Sequence, residues 1–159
     1  MGRMDNTSKL LVSLGIPQIA GIIGSFFTSP NISTWYAGLS KPELAPPNWV
    51  FGPVWITLFI LMGVSAFLIW KRGLEKRDVK IALGIFLFQL ILNTFWSIIF
   101  FAMQSPGLAF AWIIILWVTI IANIYFFSRI SKTSALLLVP YALWVSFATY
   151  LNYAIWMLN

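Results

Sequence analysis

The side chains able to do chemistry in this sequence are defined first by what is missing. It contains no histidine and no cysteine, which removes the commonest proton shuttle and metal ligand, along with thiolate and disulfide chemistry. The runs 10–40, 44–70, 81–128 and 133–159 carry no Asp, Glu, Lys or Arg. Tyrosines are the best proton donors left there, so general acid–base catalysis lacks candidates. No glycine-rich phosphate loop, metal cluster or nucleophile–base pair can be assembled, and no resident cofactor or metal site is expected. What the chain does supply is nine tryptophans with a few amides and hydroxyls. Such groups suit a flat, apolar, aromatic ligand held by stacking and a few hydrogen bonds. Interface anchoring accounts for part of the tryptophan content.

These groups fall at helical spacings. Pro17, Ala20, Gly21, Gly24, Ser25 and Thr28 recur every three or four residues and share one face. That face either packs closely against another helix or leaves room for a ligand beside Ser25 and Thr28. Phe51 and Trp55 are four apart, after Asn48 as a plausible N-cap and with Pro53 near the first turn. Gly63, Ser65 and Ala66 make a second close-packing patch. Gln89, Asn93, Trp96 and Ser97 form a polar stripe, in which Gln89 is expected to bond a neighbouring helix and Asn93 either to do the same or to line a cavity with Trp96. Trp144, Ala148 and Leu151 lie at i, i+4 and i+7, with Phe147 beside them, and make a concave patch.

The segment 35–55, WYAGLSKPELAPPNWVFGPVW, reads as a stiff loop running into a helix start. Pro42, Pro46 and Pro47 push their preceding residues out of the helical region. Lys41 and Glu43 within it either meet the polar rim of a ligand or are solvated loop charges.

The elements that must position these groups follow from composition. Of the 159 residues 60% are hydrophobic and 9% charged, far fewer charges than a soluble domain carries. Each charge-free run is long enough for a membrane helix of about 20 residues, and Gln104-Ser105-Pro106-Gly107 splits 81–128 into two. The expectation is an all-α integral membrane protein, one domain over 1–159. Its five transmembrane helices should cover about 10–29, 48–70, 80–103, 107–128 and 133–157, with a lid loop at 30–47. The 107–128 helix, nearly free of polar residues, is expected to face lipid. The first run carries Pro17 and Gln18 and lacks a small-x-small cleavage point, so it reads as a helix rather than a signal peptide. Arg3, Lys9, Lys71, Arg72, Lys76, Arg77, Lys80, Arg129 and Lys132 then fall at one end of the bundle and Lys41 alone at the other. By the positive-inside rule this places the N-terminus in the cytoplasm and the C-terminus opposite. The net charge of +6 is thus topology, with anionic lipid contact at KRGLEKRDVK, and not a sign of nucleic acid.

With these residues in view, the chain resembles the translocator proteins, also called tryptophan-rich sensory proteins or peripheral-type benzodiazepine receptors (TspO/MBR). The resemblance rests on Pro17 with its small-residue face, on 35–55, on LNTFW at 92–96 and on PYALWVSFATYLNYAIW at 140–156. It implies a five-helix bundle, usually a homodimer, with a pocket under the first loop. That pocket would take tetrapyrroles such as protoporphyrin IX and haem, and synthetic isoquinoline carboxamides or benzodiazepines. Carried over residue by residue, it falls on Ser25, Thr28, Phe51, Pro53, Trp55, Asn93, Trp96, Trp144, Phe147, Ala148 and Leu151, with Trp35 as the loop tryptophan.

The function implied is a membrane receptor or carrier for porphyrin-type ligands, with a role in tetrapyrrole or stress regulation. Two alternatives stand beside it: light- and oxygen-dependent porphyrin degradation using Trp55 and Trp144, and a sterol- or lipid-binding regulatory scaffold. The sterol pattern of the family is broken, because no basic residue follows Leu151 and Tyr153. Of the small-xxx-small pair that some relatives carry in the third helix, Gly84 is present and Phe88 takes the second place. Trp112 replaces an acidic residue of the vertebrate members.

Overall fold

The computed structural model describes residues 4–159 of the chain. Five long helices follow one another: α1 (Asn6–Ile32), α2 (Asn48–Trp70), α3 (Arg77–Ser97), α4 (Pro106–Ser128) and α5 (Lys132–Leu158). A π-helical turn, Ile98–Ala102, continues α3, and a short 3₁₀ turn, Tyr36–Gly38, lies in the loop between α1 and α2. All five spans are long and apolar enough to cross a membrane, and helices satisfy their backbone groups where lipid offers no partner. The protein is an integral multi-pass membrane protein.

Helix ends carry local reasons. Asp5 accepts from the Ser8 backbone N–H at 3.1 Å to start α1, and Ser131 caps α5 through Ser134 N–H at 3.3 Å. Pro106 opens α4, where its missing donor costs little. α1 begins at Asn6 and α3 at Arg77, earlier than the expected 10 and 80, and two further details at helix ends differ from expectation. α1 runs past Pro30 to Ile32 because side chains satisfy its last carbonyls: Asn31 Nδ2 donates to Phe27 O at 2.9 Å and Thr34 Oγ1 to Pro30 O at 3.0 Å. The loop before α2 therefore begins at Ser33, not at residue 30. At the start of α2 Pro47 takes the N-cap position and Asn48 is already helical, with no side-chain cap.

The core lies between α2, α3, α4 and α5, around Met62, Ile69, Val79, Phe86, Ile113, Leu116, Ile120, Phe127, Leu138 and Val145. The buried residues of α4 (Ala109, Ile113, Leu116, Ile120, Asn123, Phe127) form one stripe, and Ile114, Ile115, Val118, Ile121 and Tyr125 are exposed on the rest. α1 is peripheral and buries only Ser13, Pro17 and Gly24. α2 comes close to it because Gly63 has no side chain: a Cβ there would stand 2.7 Å from Ser13 O and 2.8 Å from Leu14 Cα. Near the same end, Ser65 and Ser134 each donate to the other's carbonyl, at 2.7 and 2.6 Å, and clasp α2 to α5. The close-packing patch on α2 thus meets two partners, Gly63 facing α1 and Ser65 facing α5.

A candidate ligand cavity beneath the first loop

Toward the other end the helices part and enclose a cavity of about 530 Å³, walled by α1, α2, α3 with its π turn, α5 and the loop residue Tyr36. α4 contributes nothing to it. The volume falls within the range of small-molecule sites, about 300–1,000 Å³. Ser25, Thr28, Phe51, Trp55, Asn93, Trp96, Trp144, Ala148 and Leu151 all line it. The small-residue face of α1 thus meets two environments at different heights. Ser13 and Pro17 sit in the packing half, and Ser25 and Thr28 in the cavity half.

Three residues expected on the wall lie off it. Pro53 is two positions from both Phe51 and Trp55, so at about 100° per residue it faces away from them; it is exposed beside Val54, Thr57 and Pro140. Phe147 leans on Trp144 (centroids 5.7 Å apart) and stacks on Tyr150 at 6.3 Å. Trp35 stands behind the wall, edge-on to Phe100 and Phe101 at 5.5 and 6.5 Å.

The aromatic lining forms two groups. Trp55 stacks on Phe59 at 5.4 Å and meets Tyr141 edge-on at 6.1 Å, while Phe51 meets Trp144 at 5.9 Å. Trp96 stacks on Phe100 at 5.2 Å. Phe100 and Phe101 are consecutive, yet both are buried and both line the cavity. The π turn does this: Met103 N–H bonds Ile98 O at 2.9 Å, and a wider turn separates neighbours by less than an α-helix does. Helical spacing alone could not have flagged the pair. Asn152 and Tyr36 were also missed as lining residues, and Asn48 was assigned to a cap.

No charged side chain lines the cavity among the described residues. Two of its hydroxyls are held by their own helix: Ser25 Oγ donates to Ile22 O at 2.7 Å and Thr28 Oγ1 to Gly24 O at 3.1 Å. Trp96 Nε1 donates to Asn152 Oδ1 at 3.0 Å. The indole N–H of Trp144 is buried and has no partner among the described residues. No group of three or more Asp or Glu lies close enough to hold a metal among the described residues.

The loop closes this end. Tyr36 is buried against Phe100 and Phe101, at 6.3 and 5.8 Å. Lys41 Nζ sits 4.6 Å from the Tyr36 ring and donates to Leu39 O at 3.1 Å. Of the two rim charges, Lys41 is thus folded onto the loop itself.

Five apolar spans around an uncharged cavity walled by tryptophans define a multi-pass membrane bundle built about an internal aromatic pocket. The chain belongs to the TspO/MBR family, whose model matches residues 13–157. It is 43% identical over 150 residues to a tryptophan-rich protein TspO of Chlorobaculum tepidum, covering 94% of this chain and 95% of that one. To the human translocator protein it is 38% identical over 145 residues, covering 90% and 85%. To a tryptophan-rich sensory protein of Cereibacter sphaeroides it is 34% identical over 149 residues, covering 94% and 88%. It is a membrane protein of the translocator and tryptophan-rich sensory type.

Proposed function

We propose that the protein is a membrane receptor or carrier that binds porphyrin-type tetrapyrroles, protoporphyrin IX or haem, in the cavity beneath the first loop. The observation that carries this reading is the cavity wall itself, with Trp55, Trp96 and Trp144 from three helices around one uncharged space of about 530 Å³. A flat macrocycle gains stacking on such rings. The same space would take isoquinoline carboxamides and benzodiazepines. With eight described basic residues at one end of the bundle and Lys41 at the other, the N-terminus is assigned to the cytoplasmic side.

Titration of the detergent-solubilised protein with protoporphyrin IX, followed by tryptophan fluorescence, tests the reading. Quenching should saturate, and Trp55→Ala with Trp144→Ala should weaken binding at least tenfold. Unchanged affinity in that double variant sinks this site. A second reading, photo-oxidative degradation, draws on Trp55 and Trp144 both lying on the wall, where an indole can give an electron to an excited porphyrin. Illumination in oxygen should then bleach the bound porphyrin faster than in a Trp55→Phe, Trp144→Phe variant. Equal rates leave the binding reading alone.

A further inference from the structure

The end of the bundle away from the cavity carries the charge of the chain. Among the described residues eight bases lie there against three carboxylates, Asp5, Glu75 and Asp78. Two of those carboxylates are turned to backbone: Asp5 caps α1, and Asp78 Oδ1 accepts from Val79 N–H at 2.9 Å. Arg72, Lys76, Arg77 and Lys80 stand on the connection from α2 to α3 and the first turn of α3. Arg129 and Lys132 flank the connection from α4 to α5, and all six are exposed. The two connections are held side by side. Ser65 and Ser134 clasp α2 to α5, and Phe86 of α3 stacks on Phe127 of α4 at 6.0 Å.

Topology asks for bases at this end of the bundle, but not for bases at helix starts. Lys76 takes the N-cap position of α3 without a side-chain cap, Arg77 and Lys80 occupy the first turn, and Lys132 opens α5. A base placed there meets the positive end of the helix dipole. Arg77 and Lys80, three apart, are like-charged neighbours besides. A set of bases that works against its own helix is accounted for by an anion outside the chain.

The surface also lies at the level of the span ends. Lys71 follows directly on the last residue of the α2 span and Arg129 on that of α4, while Arg77 and Lys132 begin the spans of α3 and α5. Between the bases Leu74 is exposed, beside a turn in which Gly73 takes a φ of 113°. An apolar side chain among bases at the end of a span fits a lipid leaflet, with acyl chains for the leucine and phosphates for the bases. A dissolved anion would give Leu74 nothing to bury against.

We infer that the face centred on Arg72, Lys76, Arg77 and Lys80 is a docking surface for the phosphate headgroups of anionic phospholipids, such as phosphatidylglycerol, in the adjoining leaflet. Each base close to such a leaflet adds to the attraction, which falls off within a Debye length. The inference is independent of what the cavity binds.

Native mass spectrometry of the full chain in detergent tests it, with titration by phosphatidylglycerol or by zwitterionic phosphatidylcholine of the same acyl chains. Phosphatidylglycerol should be retained at about tenfold lower concentration. That ratio should fall to near one in the triple variant Lys76→Gln, Arg77→Gln, Lys80→Gln, and persist in Lys41→Gln, which changes the other end. Without added lipid the triple variant should keep the parent's thermal midpoint, because it removes bases that the helix dipole disfavours. Equal retention of the two lipids by the unmodified chain overturns the inference and needs no variant to fold. A ratio that survives the triple variant overturns it as well. So does a ratio that millimolar inorganic phosphate abolishes and acetate of equal ionic strength does not, which would make the face a site for a dissolved anion.

Discussion

The indole of Trp96 on α3 and the amide of Asn152 on α5 are joined by a 3.0 Å hydrogen bond, and the same amide donates Nδ2 to Pro106 O, at the start of α4, at 2.7 Å. One side chain, 1% exposed, thus ties three helices together and sets the angle of a cavity tryptophan. Its two functions are satisfied at once, an acceptor toward Trp96 and a donor toward a helix-start carbonyl.

Replacing Asn152 by Leu leaves the Trp96 N–H unpaired, while the Pro106 carbonyl keeps its bond within α4. Buried polar groups orphaned in this way cost about 1–3 kcal/mol, while bonds between membrane helices average about 0.6 kcal/mol. The expected loss is about 1–2 kcal/mol, seen as a lower thermal midpoint in detergent. Protoporphyrin IX affinity should fall with it, because Trp96 is freed to turn. A variant with the parent's midpoint and affinity would show that the tie positions nothing.

Gly63 and Gly84 make a matched pair for helix approach. A Cβ at Gly63 meets backbone, Ser13 O at 2.7 Å and Leu14 Cα at 2.8 Å, whereas one at Gly84 meets nothing within 4 Å. Backbone cannot move aside as a side-chain tip can. Gly63→Ala should therefore push α1 from α2 and cost about 1–3 kcal/mol, while Gly84→Ala should be neutral or stabilising by up to about 1 kcal/mol. Thermal denaturation of the two variants side by side checks this. Equal midpoints would mean that α1 is not held at Gly63.

Much of this was legible in the sequence because a membrane simplifies the problem. Charge-free runs mark spans, and a residue such as Asn93 in lipid has nowhere to point but inward. The four-residue spacings of Phe51 with Trp55 and of Trp144 with Ala148 likewise survive folding unchanged. What escaped depends on departures from the regular helix. Phe100 and Phe101 reach the cavity together only through a π turn, which leaves no periodic trace. Pro53 was carried onto the wall by resemblance although its two-residue offset from Phe51 places it on the far face. The end of α1 was drawn short at Pro30 because the donors that carry it onward, Asn31 and Thr34, act through tertiary detail of the last turn.

Tyr36 gives the loop a pH dependence. Burial pushes its phenol above the ordinary tyrosine value, about 10, because the charged form would have to be buried. A group whose folded pKa is raised contributes stability that is fully present below the unfolded value and is lost as pH rises through the folded one. The loop 33–47 should therefore resist proteolysis up to about pH 10 and become cleavable above it. Tyr36→Phe should remove that step. A loop equally sensitive at pH 8 and 11, or a step that survives in Tyr36→Phe, would break the link.

The loop is also fastened from the far end of the chain. Asn159 Oδ1 accepts from Ser40 N–H at 2.9 Å while Asn159 Nδ2 donates to Ser40 O at 3.0 Å, a paired contact between one side-chain amide and one backbone unit. The same Nδ2 reaches Ile155 O at 2.7 Å, which anchors the amide to α5. Both partners are exposed, so water can replace these bonds and Asn159→Ala should change overall stability by no more than about 0.5 kcal/mol. The consequence should be kinetic. With Ser40 released, the segment carrying Tyr36 opens more often, and protoporphyrin IX should leave several-fold faster while its equilibrium affinity moves less. Stopped-flow recovery of tryptophan fluorescence after displacement of the bound porphyrin measures the rate directly. An unchanged dissociation rate would mean that the ligand does not leave past this loop.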